Sequence, residues 1–248
     1  MAVDRERFGG GAVPSWVRHE HEARWKFAAG FVSGRTVADC ACGVGEGTAI
    51  FARSGAVAVH AFDVSSDAVA TARARCASFD NVAVGQASAT AVPLVDASVD
   101  VFVCLETIEH VDDDRSLVAE LARVVADDGV VICSTPNRAV TMPGKQISDR
   151  PWNPFHLREY DQHEFTALLG ERFETVELLG QNRRHAWRVA AMSRLGRVLP
   201  GNMGGRLTSV VKLPRLVVDR AESHAVRNLP RTGTCEYLVA VCRDPIRS

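Results

Sequence analysis

The sequence predicts an α/β protein built on a doubly wound, mostly parallel sheet of seven strands, the last of them antiparallel. Three observations carry that expectation. Apolar runs of strand length alternate with helical stretches between residues 36 and 180, the pattern of successive βαβ units. Glycines 43, 45 and 47 stand between the first apolar run and the first helical stretch of that region. The run Val99 to Leu105 is apolar except at Asp100, as a central strand covered on both faces requires.

Residues 1–35 read as an N-terminal arm and helix. The first fourteen look loose; from Pro14, a helical pattern sets Trp16, Ala23, Phe27 and Phe31 at spacings that can share one face. A core over 36–180 follows, with strands at Thr36–Ala41, Ala56–Phe62, Asn81–Gln86, Val99–Leu105, Gly129–Cys133 and Phe173–Leu179. Between them, helices begin near Glu46, after the Ser65 cap, at Arg115 behind three aspartates, and after the Asp161 cap. Residues 138–160 read as a loop holding Pro143, Pro151 and Pro154. Residues 181–233 read as an Arg-rich helical insertion whose acids are Asp219 and Glu222. Its Trp187, Ala191, Leu195 and Val198 line one face of a helix, which suits a lid or dimer element better than a lipid or phosphate surface. Cys235–Cys242, within 234–244, closes the sheet as an antiparallel strand between the fifth and sixth.

A strand, a glycine turn and a helix form the entry of a nucleotide-binding unit. Gly43 and Gly45 remove side chains that would hold a ligand off the main chain. Asp63 follows Gly43 by twenty positions, at the tip of the neighbouring strand, where it can accept both hydroxyls of a ribose. The run lacks the Lys-Ser/Thr ending of a phosphate loop, and Thr48 stands where a dinucleotide fingerprint wants a small residue. Asp39, just before the turn, would repel a pyrophosphate and suits a ligand carrying positive charge near its ribose.

The run D-x-A-C-G-x-G-x-G-T from Asp39 to Thr48, followed by V-x-A-F-D ending at Asp63, resembles the class I S-adenosylmethionine-dependent methyltransferases of the small-molecule type. E-x-x-E-H from Glu106 to His110 and S-T-P-N from Ser134 to Asn137 strengthen the resemblance. It implies a Rossmann-like sheet and S-adenosylmethionine as cofactor. The cofactor would meet Ala41, Gly43 and Gly45 at the turn, Asp63 and Val64 at the ribose, and Ser88 and Ala89 at the adenine edge. Ser88 stands where the family usually has Asp, which removes charge assistance from the adenine contact. Asp39 and Glu106 fall near the methionine end. The stretch from Glu20 to Trp25 matches a family pattern that brings His21 and Arg24 to the same end.

Moving a methyl group from a sulfonium needs alignment and, for a hydroxyl or amine acceptor, a base. His110 is the first candidate, because the tip of the fourth strand faces the transferable methyl in this family. His156, in the aromatic loop Trp152–Tyr160, is the second. Glu109 and Glu106 could orient the base, bind an amino acceptor or cap the next helix. The expected reaction is O- or N-methylation of a sugar, aminoglycoside or other natural product, as in antibiotic biosynthesis. A quinone, phenol or lipid acceptor at a membrane surface is the alternative; a non-catalytic nucleotide-binding module and an NAD-dependent oxidoreductase rank well behind.

The 248 residues have a net charge of −1, which gives no global pull toward nucleic acid or anionic membrane. The expected partner is a small-molecule acceptor, with a homodimer left open. Seven cysteines include no C-x-x-C pair and no metal-type Cys/His spacing, and His19 and His21 point to different sides of a helix. Buried reduced thiols, no metal site and a cytoplasmic setting are the expectations. The N-terminus lacks the apolar core of a signal peptide, and no 18-residue apolar span marks a stable membrane insertion.

Overall fold

The computed structural model describes residues 15–184, 224–230 and 234–247. Five strands pair in parallel: β1 (Thr36–Cys40), β2 (Ala58–Asp63), β3 (Val82–Gln86), β4 (Val99–Leu105) and β5 (Val125–Pro136). β6 (Phe173–Arg184) and β7 (Arg227–Asn228) follow, and β8 (Thr234–Pro245) lies antiparallel between β5 and β6. The order across the sheet is β3-β2-β1-β4-β5-β8-β6-β7.

Among the described residues, eight strands therefore stand where seven were expected. The extra one, β7, pairs with Leu179 and Gly180 of β6 and lies inside the segment expected to be a helical insertion. A two-residue Arg-Asn strand has no apolar run to betray it. β6 also runs on past Leu179 to Arg184, because its polar end pairs with Thr234–Tyr237 of β8 through main-chain bonds. The N-terminal arm 1–14 and the basic helix expected near 187–198 lie outside the described residues.

Side chains on successive residues of a strand face opposite ways, and the sheet has a core on each face. Val37, Val59, Val101, Val103, Ile132 and Val239 pack beside Ala28, Val32 and Phe51. On the other face, Ala38, Cys40, Phe102, Cys104, Cys133 and Ala240 pack beside Leu117, Leu121 and Phe165. The helices are α1 (Ser15–Ala29), α2 (Glu46–Arg53), α3 (Ser66–Cys76), α4 (Asp114–Val124), α5 (Arg138–Thr141) and α6 (Gln162–Leu169), of which α1, α2, α4 and α6 supply these partners, with Val32 just beyond α1.

Local chemistry sets the helix ends. The Ser65 hydroxyl accepts from Ala68 N at 3.4 Å, and Asp113 accepts from Ser116 N at 2.9 Å. Asp161 and Glu164 form a reciprocal capping box. α4 stops at Val124, and β5 starts at once. Register passes from Val99↔Val125 to Val101↔Val130, and a Cβ at Gly129 would come within 2.9 Å of the Asp100 carbonyl. The expected loop 138–160 opens with the single turn α5, whose cap is the Asn137 side chain accepting from Ala139 N. None of the seven cysteines is in a disulfide, and six are buried. The consequence for function is that β1, β4 and β5 are neighbours in register, so the segments leaving their carboxyl ends share one edge.

Candidate active site

At that edge, β1 ends in a turn with Ala41 at φ 57°, Gly43 at φ 55° and Gly45 at φ 79°, the left-handed region that costs other residues energy. A Cβ at Gly43 would meet no atom within 4 Å, so this glycine borders open space. At Gly45 it would touch Ala72 of α3 at 3.0 Å. Asp63 braces the turn: its Oδ2 accepts from Gly43 N and its Oδ1 from Ser65 N, each at 2.9 Å. Each carboxylate oxygen has a second lone pair. Val64 beside it is 62% exposed.

Asp39 is buried and accepts from the Thr48 hydroxyl at 2.5 Å. Burial raises its pKa to about 7, against the Thr48 hydrogen bond that lowers it. A cationic ligand beside it would favour the ionised form. The exposed Ser88 hydroxyl lies 2.9 Å from that of Thr90 and accepts from Thr90 N, with half-buried Ala89 next to it.

α1 crosses toward this edge. Trp25 lies so close to Gly47 that a Cβ there would come within 2.7 Å of Cδ1. Thus the third glycine serves a close helix approach. His21 stacks near Trp25 at 5.8 Å, and burial together with the Arg24 charge lowers its pKa to about 2. His21 is therefore neutral beside Trp25. Arg24 is 1% exposed. Its Nη1 donates to Gln181 Oε1 at 2.5 Å, its guanidinium lies 4.4 Å from the Tyr237 ring centroid, and its Nη2 is 3.7 Å from Glu106 Oε2. Its Nε and Nη2 nonetheless lack hydrogen-bond acceptors, an arrangement that costs energy unless a ligand supplies them.

Glu20, on the same helix, is buried and accepts from Asn182 Nδ2 at 2.7 Å and the Tyr237 hydroxyl at 3.1 Å. Burial, then the Glu236 charge, raises its pKa to about 7. Sequence reasoning missed this cluster of Glu20, Gln181, Asn182, Glu236 and Tyr237. Its members lie far apart in the chain, and Glu20 within the E-H-x-x-R-W run was the one available signal.

Beyond β4, Glu106 takes φ 51°, and a short 3₁₀ turn, Ile108–His110, carries the remaining candidates. Glu109 is 1% exposed, and its Oε2 accepts from the Thr135 hydroxyl at 3.0 Å. Burial, then the Glu106 charge, pushes its carboxyl well above the usual range. His110 and His156 meet edge to face with centroids 4.8 Å apart. His110 Nδ1 is 2.9 Å from the Phe155 carbonyl, and His156 Nδ1 is 2.6 Å from Glu159 Oε1. The two histidines read separately from the chain thus share one rim. Among the described residues, Glu109, His110 and His156 offer ligand atoms all within 4.8 Å of one another. This grouping has no signature in spacing, because His156 is far from the other two in sequence.

Residues 38–133 match the family described as Methyltransferase domain. A probable S-adenosylmethionine-dependent methyltransferase of Mycobacterium tuberculosis is 40% identical over 154 residues, covering 62% of this chain and 53% of the relative. A ubiquinone biosynthesis O-methyltransferase of Methylococcus capsulatus is 38% identical over 113 residues, 44% of this chain and 46% of the relative. The chain thus spans about half the length of these curated relatives. The crystal structure of an S-adenosylmethionine-dependent methyltransferase from Mesorhizobium loti superposes with a TM-score of 0.58 at 16% identity, over 89% of this chain and 97% of that one.

The residues present fit the cofactor that these similarities imply. Gly43 leaves open space against main chain, Asp63 keeps acceptor capacity, and Arg24 holds two buried nitrogens, Nε and Nη2, that lack a hydrogen-bond acceptor. On sequence similarity and sheet order together, residues 38–133 match a class I S-adenosylmethionine-dependent methyltransferase domain, and the similarities imply S-adenosylmethionine as the cofactor.

Proposed function

We propose that the chain methylates a hydroxyl or amine of a small polar molecule, such as a sugar, an aminoglycoside or another natural product. The observation that carries this reading is the meeting of Glu109, His110 and His156 on the rim beside the glycine turn. When bound, the cofactor supplies an activated methyl group on a sulfonium. In this reading Ala41, Gly43 and Gly45 admit it against main chain, and Asp63 and Val64 border its ribose. Ser88 and Ala89 border the adenine. Arg24 takes the carboxylate, while Asp39 and Glu106 face the cationic end, and neutral His21 closes the wall.

His110 serves as the base. With Nδ1–H given to the Phe155 carbonyl, the lone pair lies on Nε2, which accepts the proton the acceptor loses. His156 stacks against that ring and holds it side-on, and Glu109 lines the floor. The acceptor is small and not nucleic acid in this proposal, and no described helix is long and apolar enough to cross a membrane. A phenol or quinone acceptor is the second reading, favoured by the similarity to ubiquinone biosynthesis O-methyltransferases.

The test is a mass-spectrometric screen for gain of one methyl group across sugars, aminoglycosides and phenols. A product on a sugar or aminoglycoside is expected, with turnover lowered about 10²–10⁴-fold in His110→Ala while cofactor affinity holds. Product on phenols alone moves the assignment to the second reading. Tight cofactor binding with no product on any class overturns the proposal.

A further inference from the structure

We propose that Glu109, His110 and His156 bind one divalent cation of the zinc, cobalt or manganese type. The cation would hold and ionise the acceptor hydroxyl; that last clause rests on the methyl-transfer reading above. The three ligand atoms lie within 4.8 Å of one another, and Glu109 Oε1 is 4.0 Å from His110 Nε2. Ligands about 2.0–2.2 Å from a common cation stand somewhat closer together than this, so small side-chain rotations inward complete the site.

The surroundings orient each ligand. A metal-binding histidine usually gives its other ring N–H to a carboxylate or carbonyl, which fixes the tautomer. Both arrangements occur: His156 Nδ1 faces Glu159 Oε1 at 2.6 Å, and His110 Nδ1 faces the Phe155 carbonyl at 2.9 Å. Glu159 is itself buried and accepts from the Thr141 hydroxyl. Thr135 occupies Glu109 Oε2 at 3.0 Å, which leaves Oε1 toward the histidines. The Leu157 N–H donates to the Glu109 carbonyl at 2.8 Å, so the loop bearing His156 is fastened to the turn bearing the other two ligands. One contact must yield: Asn153 Nδ2 sits 2.8 Å from His156 Nε2.

Two imidazoles and one carboxylate suit a borderline transition metal and not magnesium or calcium, which favour oxygen ligands. Three protein ligands leave a position for substrate or water, and the His110 side chain, 35% exposed, keeps the rim accessible. An acceptor hydroxyl in that position would lose its proton to water and remain as metal-held oxyanion. His110 then acts as ligand, replacing its role as base in the metal-free protein.

The experiment titrates the chelator-stripped full chain with Co²⁺, followed by calorimetry and visible absorption. One Co²⁺ per chain with visible ligand-field bands is expected. Glu159→Gln should weaken binding about 10–100-fold, and His156→Ala should abolish the saturable site. Retained S-adenosylmethionine binding in each variant verifies folding. Absence of a stoichiometric site, uptake unchanged in both variants, or a thiolate charge-transfer band placing the ion on cysteines overturns the proposal. Methyl transfer that persists without any Co²⁺ uptake sinks this inference alone. Stoichiometric uptake without methyl transfer sinks the methyl-transfer reading and leaves the site standing.

Discussion

Asp63 does two jobs with one carboxylate. It receives two main-chain N–H groups, from Gly43 and Ser65, and so braces the glycine turn, while the proposal above also gives it the ribose hydroxyls. Asp63→Ala should therefore weaken S-adenosylmethionine binding by roughly 1–3 kcal/mol, the cost of stranding polar partners. Asp63→Asn separates the roles, since the amide keeps one acceptor oxygen and loses charge; its loss should be smaller. Calorimetric titration of both variants checks this, and unchanged affinity in Asp63→Ala would remove the ribose assignment. The pair of aspartates and the glycines between them were legible from spacing, because the turn is local and its geometry restricts residue type. Arg24 was legible as a candidate. Its buried, acceptor-poor state was not, since that depends on Gln181 and Tyr237 arriving from the far end of the chain.

At the scale of elements, the docking of α1 on α2 turns on Gly47. Its place inside α2 should favour Ala by about 1 kcal/mol, but the Trp25 ring occupies the space a Cβ needs, and overpacking costs about 1–3 kcal/mol. Gly47→Ala alone should be neutral to destabilising by up to about 2 kcal/mol. In a Trp25→Ala background the same change should become stabilising. Denaturant melts of the four proteins in this cycle read the sign directly; equal effects in both backgrounds would show that the ring yields without cost. Elements with such local logic were readable: the nearly unbroken apolar run of β4, the Ser65 cap and the Asp161 capping box. β7 and the polar extension of β6 were not, because main-chain pairing without burial leaves little pattern in side chains. The rim was half readable. His110 and His156 were each visible at a strand's carboxyl side, but their edge-on meeting is a product of the loop's path.

Across the whole molecule, Glu20 ties the first helix to the last two long strands. Its carboxylate receives Asn182 of β6 and Tyr237 of β8, and its carbonyl receives Gln181 Nε2 at 2.9 Å. The charged groups around it are Arg24 on its own helix and Glu236 on β8, the latter paired with Arg184 of β6. Burial and Glu236 raise Glu20 from 4.5 to about 7, so the folded chain binds a proton that the unfolded chain releases near 4.5. Between those values the native state holds more protons, and stability must fall as pH rises. Below about 4.5 both states are protonated, and above about 7 both are ionised, so the contribution is flat outside the window. Glu20→Gln keeps the shape and removes the titration. Thermal melts should show this variant gaining on the parent as pH climbs from 4.5 to 7, with the gap constant above. Parallel curves across that window would mean that Glu20 remains ionised in the fold, with Arg24 and the Tyr237 hydroxyl outweighing burial. The tie between α1 and the last two long strands would then rest on an ionised carboxylate and not on a protonated one.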